Sequence, residues 1–314
     1  MWRFCSVTAG VLLASIAAWS AGEMLFFPLT AAFSSSRAPR GASGRYMSVF
    51  QLGLAVPLAL AYMRTLERRG ARVLNGADVF ALELSKSAQA TLLHTLGIDT
   101  PRSITFNDVR ALRRYERTIT WPALLKPDQG GSGARIQMVS ALDEVEAIFA
   151  ADPNVWLPDN LFLLQEYLPH DPEQGIVRLE FLGGELLYAM RVKAHGRFNL
   201  CPSPVCNPDE GDGVCALPAH DQPAPPVEFE AFPEVPREAV ETARRIAHAA
   251  RLDVGGIEYL DTPDGRRVFY DINANSNLRP SVAAAFGFDP FERVVELIRA
   301  APAILMILVV KFMR

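Results

Sequence analysis

Leu124-Leu-Lys-Pro-Asp-Gln-Gly-Gly-Ser-Gly-Ala-Arg-Ile136 is the stretch on which the reading of this chain turns. A strand delivers Lys126, and a loop containing Gly130, Gly131, Ser132 and Gly133 returns into a second strand. Glycines let a backbone approach a phosphate chain with its N–H groups aimed inward, while lysine offers a point charge to the same oxygens. The lysine precedes the glycines and no helix follows them, so this is neither a Walker loop nor a dinucleotide fingerprint. Taken alone, the stretch reads equally well as a glycine-rich hairpin with an exposed lysine.

A second signal lies downstream, in residues 254–273. Asp264-Gly265 is the two-residue turn favoured between antiparallel strands. With that turn, Leu260 pairs with Phe269, Tyr259 with Tyr270, and Glu258 with Asp271. Two carboxylates then stand opposite each other, which is destabilising without a cation between them. Asn273 lies two residues on and shares their face. Two carboxylates and an amide oxygen are hard ligands suited to Mg²⁺ bridging substrate phosphates. An isolated acid pair on a solvated sheet face is the plainer account; beside a phosphate loop the metal site is the better one.

Two weaker signals point the same way. In Leu161-Phe-Leu-Leu-Gln-Glu-Tyr-Leu168 an apolar strand ends in a polar and aromatic step. Backbone groups there could read an adenine edge, with Tyr167 or Leu168 walling the ring, although an ordinary strand end looks identical. Arg178, Arg191, Lys193, Arg197 and Asn199 cluster on neighbouring strands. Surface solvation is the usual reason for such residues; next to a phosphate site, guanidinium groups suit carboxylates and a developing acyl phosphate.

Around these motifs the chain reads as α+β. Residues 46–69 predict a long helix ended by Gly70, and 72–76 a short strand and turn. A helix over 85–96 has Ser85 as its cap and Gly97 beyond its end. Strands are expected at 103–106, 123–126, 135–139, 161–165, 176–181, 186–192, 254–260 and 267–272. Helices are expected over 140–150 and 236–251 and from Asp289 onward. Residues 201–236, rich in proline and acid, predict an irregular insertion. Cys201, Cys206, Cys215 and His220 fall within it at spacings that match no common zinc finger.

In order and spacing, these segments resemble the ATP-grasp superfamily, most closely the RimK-like glutamate ligases and glutathione synthetases. The resemblance covers about residues 75–280. It rests on Ser85-Lys86, Gly97-Ile-Asp-Thr-Pro101, Lys126-Pro with Gly130-Gly-Ser-Gly133, Gln165-Glu-Tyr167, Arg197-Phe-Asn-Leu200, and Glu258 with Asp271-Ile-Asn273. It implies an α+β ATP-grasp fold, in which antiparallel sheets with flanking helices form two subdomains clasping ATP. The corresponding division is a short N-terminal subdomain at 1–84, a grasp domain at 85–300 split near residue 168, and an apolar tail at 301–314.

Carried onto this sequence, the resemblance assigns Lys86 and Lys126 to the ATP phosphates, with Gly130, Gly131, Ser132 and Gly133 closing over them. Gln165, Glu166, Tyr167 and Leu168 fall at the adenine, and Glu258, Asp271 and Asn273 at Mg²⁺, for which Mn²⁺ could substitute. Arg178, Arg191, Arg197 and Asn199 become the catalytic set. The implied chemistry is ATP- and Mg²⁺-dependent ligation of a carboxylate to an amine, such as an amino acid or peptide, through an acyl phosphate. The alternative is a non-catalytic ATP-binding regulatory module. Two features depart from relatives: Ile176 stands where they carry a ribose-binding acid, and Ala274-Asn-Ser-Asn-Leu-Arg-Pro280 replaces their Ser-Pro-Gly after the metal asparagine.

Composition limits the rest. The chain has 314 residues, of which 50% are hydrophobic and 21% charged, so it is neither disordered nor of low complexity. A net charge of −4 gives no global pull toward nucleic acid, and four cysteines make no disulfide scaffold. Residues 4–22 carry no charge. They read either as a buried first strand and helix or as a signal or anchor. The first reading is adopted, with a cytoplasmic location, no membrane partner, and room for a homo-oligomer. The eight apolar residues 303–310 are too few to span a bilayer.

Overall fold

The structure, a computed structural model, describes residues 43–130, 135–157, 160–194, 227–274, 276 and 278–300. The chain divides into two compact units, residues 1–59 and 60–314. In the first unit the described residues belong to helix α1, Ser43–Arg68, which runs on into the second unit and carries Pro57. Gly70, at φ 82°, ends it, with Gly70 N–H bonded to Glu67 O and Ala71 N–H to Leu66 O. Glycine reaches this left-handed conformation without a Cβ penalty, which is why the sequence stops the helix there. Among the described residues no helix is long and apolar enough to cross a membrane.

The second unit contains two antiparallel sheets. Helices α2, Ala77–Glu83, and α3, Lys86–Thr95, come first. The first sheet uses β1 (Ser103–Phe106), β2 (Ala123–Pro127), β3 (Gln137–Val139) and β4 (Phe162–Glu166), in the order β1-β4-β2-β3. Helix α4, Leu142–Ala151, covers one of its faces. The core there is Leu125, Leu164, Phe106, Phe149 and Phe162. Because side chains alternate along a strand, burying Leu125 turns Lys126 to the opposite, open face.

The second sheet has the order β7-β6-β5-β8-β9. Its strands are β5 (Ile176–Leu182), β6 (Glu185–Lys193), β7 (Glu228–Ala231), β8 (Val254–Asp261) and β9 (Arg267–Asn273). Helix α5, Arg237–Ala250, lays Ala239, Ala243, Ile246 and Ala247 against one face, with Val177, Leu179, Ile257 and Ile272 beneath them. The small alanines let the helix approach the sheet closely. The other face carries Arg178, Glu180, Glu258 and Asp271, with Ile176, Tyr188, Met190 and Leu260 among them. It is partly covered by α6, Pro280–Ala283. Helix α7, Pro290–Ala300, closes the described chain.

Several expectations need correction. Residues 72–76 form a turn and no strand, and Asn75 there takes φ 51°. Helix α2 and the 3₁₀ helix Val109–Thr118 were not foreseen. Part of the expected irregular insertion is strand β7, whose short alternating sequence pairs with the edge of β6. Residues 201–226 of that insertion, with Cys201, Cys206, Cys215 and His220, lie outside the described residues, as do residues 1–42 and 301–314. The hairpin turn is also different. Gly265 N–H bonds to Thr262 O and Thr262 N–H to Arg266 O, leaving a three-residue loop with Gly265 at φ 85°. Tyr259 therefore pairs with Phe269 and Leu260 with Val268, and a bulge between Glu258 and Tyr259 restores the Glu258–Asp271 pair.

Candidate functional site

The bulge decides what the site contains. A regular strand would send Tyr270 to the face opposite Asp271. The extra residue brings the Tyr270 hydroxyl onto the site face, where it donates to Glu258 Oε2 at 3.0 Å. Lys126 Nζ lies 6.0 Å from the centre of the same ring. The open face of the first sheet and the acidic face of the second thus meet at Tyr270.

Glu258 and Asp271 stand directly opposite each other, as the hairpin reading expected. Cationic side chains balance both. Arg178 Nη1 donates to Glu258 Oε1 at 3.0 Å and its Nε to Glu180 Oε1 at 2.6 Å. Lys86 forms an ion pair with Asp271. Asn273 Nδ2 donates to Asp271 Oδ2 at 3.0 Å and faces Glu258 Oε1 at 3.3 Å. Burial, then the Asp271 charge, pushes the Glu258 carboxyl up. Burial acts on Asp271 in the same direction, but Lys86 and the Asn273 amide outweigh it and hold that carboxyl down. Burial and the charge of Lys86 together pull Lys126 down to about 8.

Further contacts hold Lys86, Asp271 and Arg178 in place. Lys86 opens α3, where Ser85 Oγ accepts from Ala88 N–H and the Asp128 carboxylate accepts from Ser87 N–H at 2.7 Å. The buried Gln89, one turn along, both donates to Ile272 O at 3.0 Å and accepts from Ile272 N–H at 3.1 Å. It satisfies the β9 edge as a neighbouring strand would and fixes the distance between Lys86 and Asp271. Gly256 leaves room for Arg178, since a Cβ there would meet the guanidinium at 2.5–2.7 Å. Glu180, fully buried, accepts from Arg178 on one oxygen and from Ser276 Oγ on the other. Asn75 bonds to both Val254 O and Ala274 O, tying together the neighbouring ends of β8 and β9.

Of the residues singled out in the sequence, Lys86, Lys126, Arg178, Glu258, Asp271 and Asn273 come together. Gln165 shares the open face of the first sheet with Lys126, two residues from Leu163, the partner of Lys126. Leu168 packs into the apolar part of the acidic face. The Glu166 carboxylate accepts from Arg102 N–H and Nε at 3.0 and 2.9 Å, and Tyr167 N–H bonds to Pro122 O. Arg191 is not part of the group. It registers with Val177, on the other face from Arg178, and stacks over Phe232 at 4.1 Å. Gly130 is exposed, while Gly131, Ser132, Gly133, Arg197 and Asn199 lie outside the described residues. Glu180 was legible, being two residues from Arg178 on the same strand face; Tyr270 and Gln89 were not.

The donor set fits Mg²⁺. Among the described residues no three His, Cys, Asp or Glu side chains gather into a closed metal cage. Mg²⁺ is commonly held by one or two carboxylates with phosphates and water filling its shell. Glu258 and Asp271 supply the carboxylates, and Asn273 supplies an amide oxygen once its amide turns over.

No protein-family model matches the chain. It is 26% identical over 163 residues to the carbamoyl phosphate synthase large chain of Rubrobacter xylanophilus, a match covering 50% of this chain and 15% of that protein. Among solved structures it is similar to the ATP-grasp ligase PsnB bound to a minimal precursor, with a TM-score of 0.53 and 21% identity. That likeness covers 83% of this chain and 72% of the other. A RimK-domain ATP-grasp protein from Sphaerobacter thermophilus gives a TM-score of 0.53 at 19% identity, covering 76% and 75%. The D-alanine–D-alanine ligase of Bacillus anthracis gives 0.53 at 16% identity, covering 76% and 73%.

Proposed function

We propose, from the ATP-grasp fold that this chain has, that it is an ATP- and Mg²⁺-dependent ligase joining a carboxylate to an amine. The observation that carries this reading is the pair of buried Glu258 and half-buried Asp271 facing two lysines and an arginine. A module that only senses nucleotide has no need of so complete a set. Solved neighbours support the nucleotide and metal: PsnB has been captured with Mg and ADP, and the B. anthracis ligase with ATP.

Lys86 and Lys126 bind the phosphates, and their charges offset the negative charge that accumulates as the terminal phosphoryl group moves. Mg²⁺, when bound at Glu258, Asp271 and Asn273, supplies further charge neutralisation on phosphate oxygens. Arg178 is held rigid by Glu180 and Glu258 and faces the same space. A substrate carboxylate oxygen attacks the γ-phosphorus, the bond to the β-phosphate oxygen breaks, and ADP departs. The amine then attacks the acyl carbon, loses a proton, and inorganic phosphate leaves. The protein contributes positioning and fixed charge. Because the proposed reaction consumes ATP, this reading goes with a cytoplasmic location.

The test is ADP release from Mg·ATP, screened against pooled amino acids, short peptides and small carboxylic acids. Release that requires both a carboxylate and an amine, and is lost in Lys126→Ala and in Glu258→Gln with Asp271→Asn, is the expected result. Tight ATP binding without release in any pool would favour the regulatory module instead. Unchanged turnover in the double variant would sink the metal assignment.

A further inference from the structure

Among the described residues of this face, Arg279 is a cation that the chemistry above leaves without work. It lies in the 274–280 segment, which departs from the family pattern, and it immediately precedes α6. Its guanidinium carbon sits 3.2 Å from the centre of the Phe229 ring, and its backbone N–H donates to the Tyr188 hydroxyl at 2.8 Å. Phe229 pairs with Val192, which pairs with Ile176, so the ring stands on the same face as Arg178.

The nearby acids are already engaged. Glu180 is taken by Arg178 and Ser276, Glu258 by Arg178 and Tyr270, and Asp271 by Lys86 and Asn273. Among the described residues no carboxylate forms an ion pair with Arg279. Burial and the charge of Arg178 both pull its pKa down, the opposite of what a paired arginine shows. A stacked guanidinium keeps its in-plane N–H fork free for a planar anion.

We propose that Arg279, laid on Phe229 at the β7 edge of the site face, anchors a second carboxylate of the substrate. The β7 and β5 strands are two strand spacings apart, about 10 Å. The substrate is therefore a short dicarboxylate, with one carboxylate reacting near Arg178 and the other fixed at Arg279. This inference rests on the ligase reading of the same site.

The experiment measures ADP release from Mg·ATP with glutamate, glutarate and acidic dipeptides, each beside its distal monoamide and with pooled amines present. Binding of a fluorescent ATP analogue is followed in parallel. At least one diacid should drive release, and its monoamide should show a KM at least ten-fold higher. Arg279→Gln should raise the KM of the diacid by the same factor, leave that of the monoamide unchanged, and leave analogue affinity within two-fold. Arg279→Lys, which keeps the charge but loses the planar fork, should fall between. A purely structural arginine would affect acid and amide alike, and that outcome overturns the proposal. So does release driven equally by both forms, or no release with any diacid while the analogue binds. Failure to bind the analogue would instead remove the ligase reading beneath it.

Discussion

Lys126 shows how its surroundings reshape a single residue. Burial and the neighbouring Lys86 bring it down to about 8 from 10.5. The unfolded chain therefore holds more protons than the folded one between those values, and this group's contribution to stability rises with pH across that window. Phosphates arriving beside Lys126 should restore its proton. ATP binding should take up almost no proton at pH 6.5 and approach one proton near pH 9, read by calorimetry in buffers of different ionisation heat. A binding enthalpy independent of buffer at pH 9 would contradict this. Arg178 presents the complementary case: it neutralises Glu180 and Glu258, both buried. Arg178→Ala should lower unfolding free energy by about 3–5 kcal/mol in urea titrations, because it strands two buried carboxylates. A loss below 1 kcal/mol would mean that water or protons replace the guanidinium cheaply.

At the scale of elements, the join between α3 and β9 positions Lys86. Gln89 makes both hydrogen bonds of the Ile272 edge. Gln89→Leu should cost about 1–3 kcal/mol for each backbone group left unpaired, and should weaken nucleotide binding as Lys86 loses its register. Stability and nucleotide affinity both matching the native protein would show that the edge finds other partners. The hairpin illustrates how far local reading goes. The Glu258–Asp271 pairing follows from the sequence, but for an incomplete reason: a loop one residue longer shifts the register, and a bulge shifts it back. Both features involve Gly265 and Tyr270, and nothing in a period-two pattern distinguishes a bulged tyrosine from a regular one.

At the scale of the whole molecule, nucleotide should act as a clamp on the second unit, since the lysines proposed to bind its phosphates sit on α3 and β2 and the acids on β8 and β9. A ligand that binds the native state alone stabilises it by about 2.7 kcal/mol at a hundred times its Kd. Mg·ATP should accordingly raise the melting temperature of the native chain and leave that of Glu258→Gln with Asp271→Asn nearly unmoved. Equal shifts in both would place the nucleotide elsewhere.

The two-sheet plan follows from the family resemblance, while reading the residues in order yields the α+β class, most strand positions, the Ser85 cap and the facing pair Glu258 and Asp271. These depend on alternation, capping and turn chemistry, which are local and survive without knowledge of the fold. Tertiary structure decided the rest. It sent Arg191 to the opposite face from Arg178, because faces follow from register between strands. It placed Gly256 beside Arg178, drew Tyr270 onto Glu258 through one extra residue, and set Arg279 on Phe229, a partner fifty residues away. Contacts across such separations depend on how whole strands align and pack, and that information is spread over the entire chain rather than written beside the residues it positions.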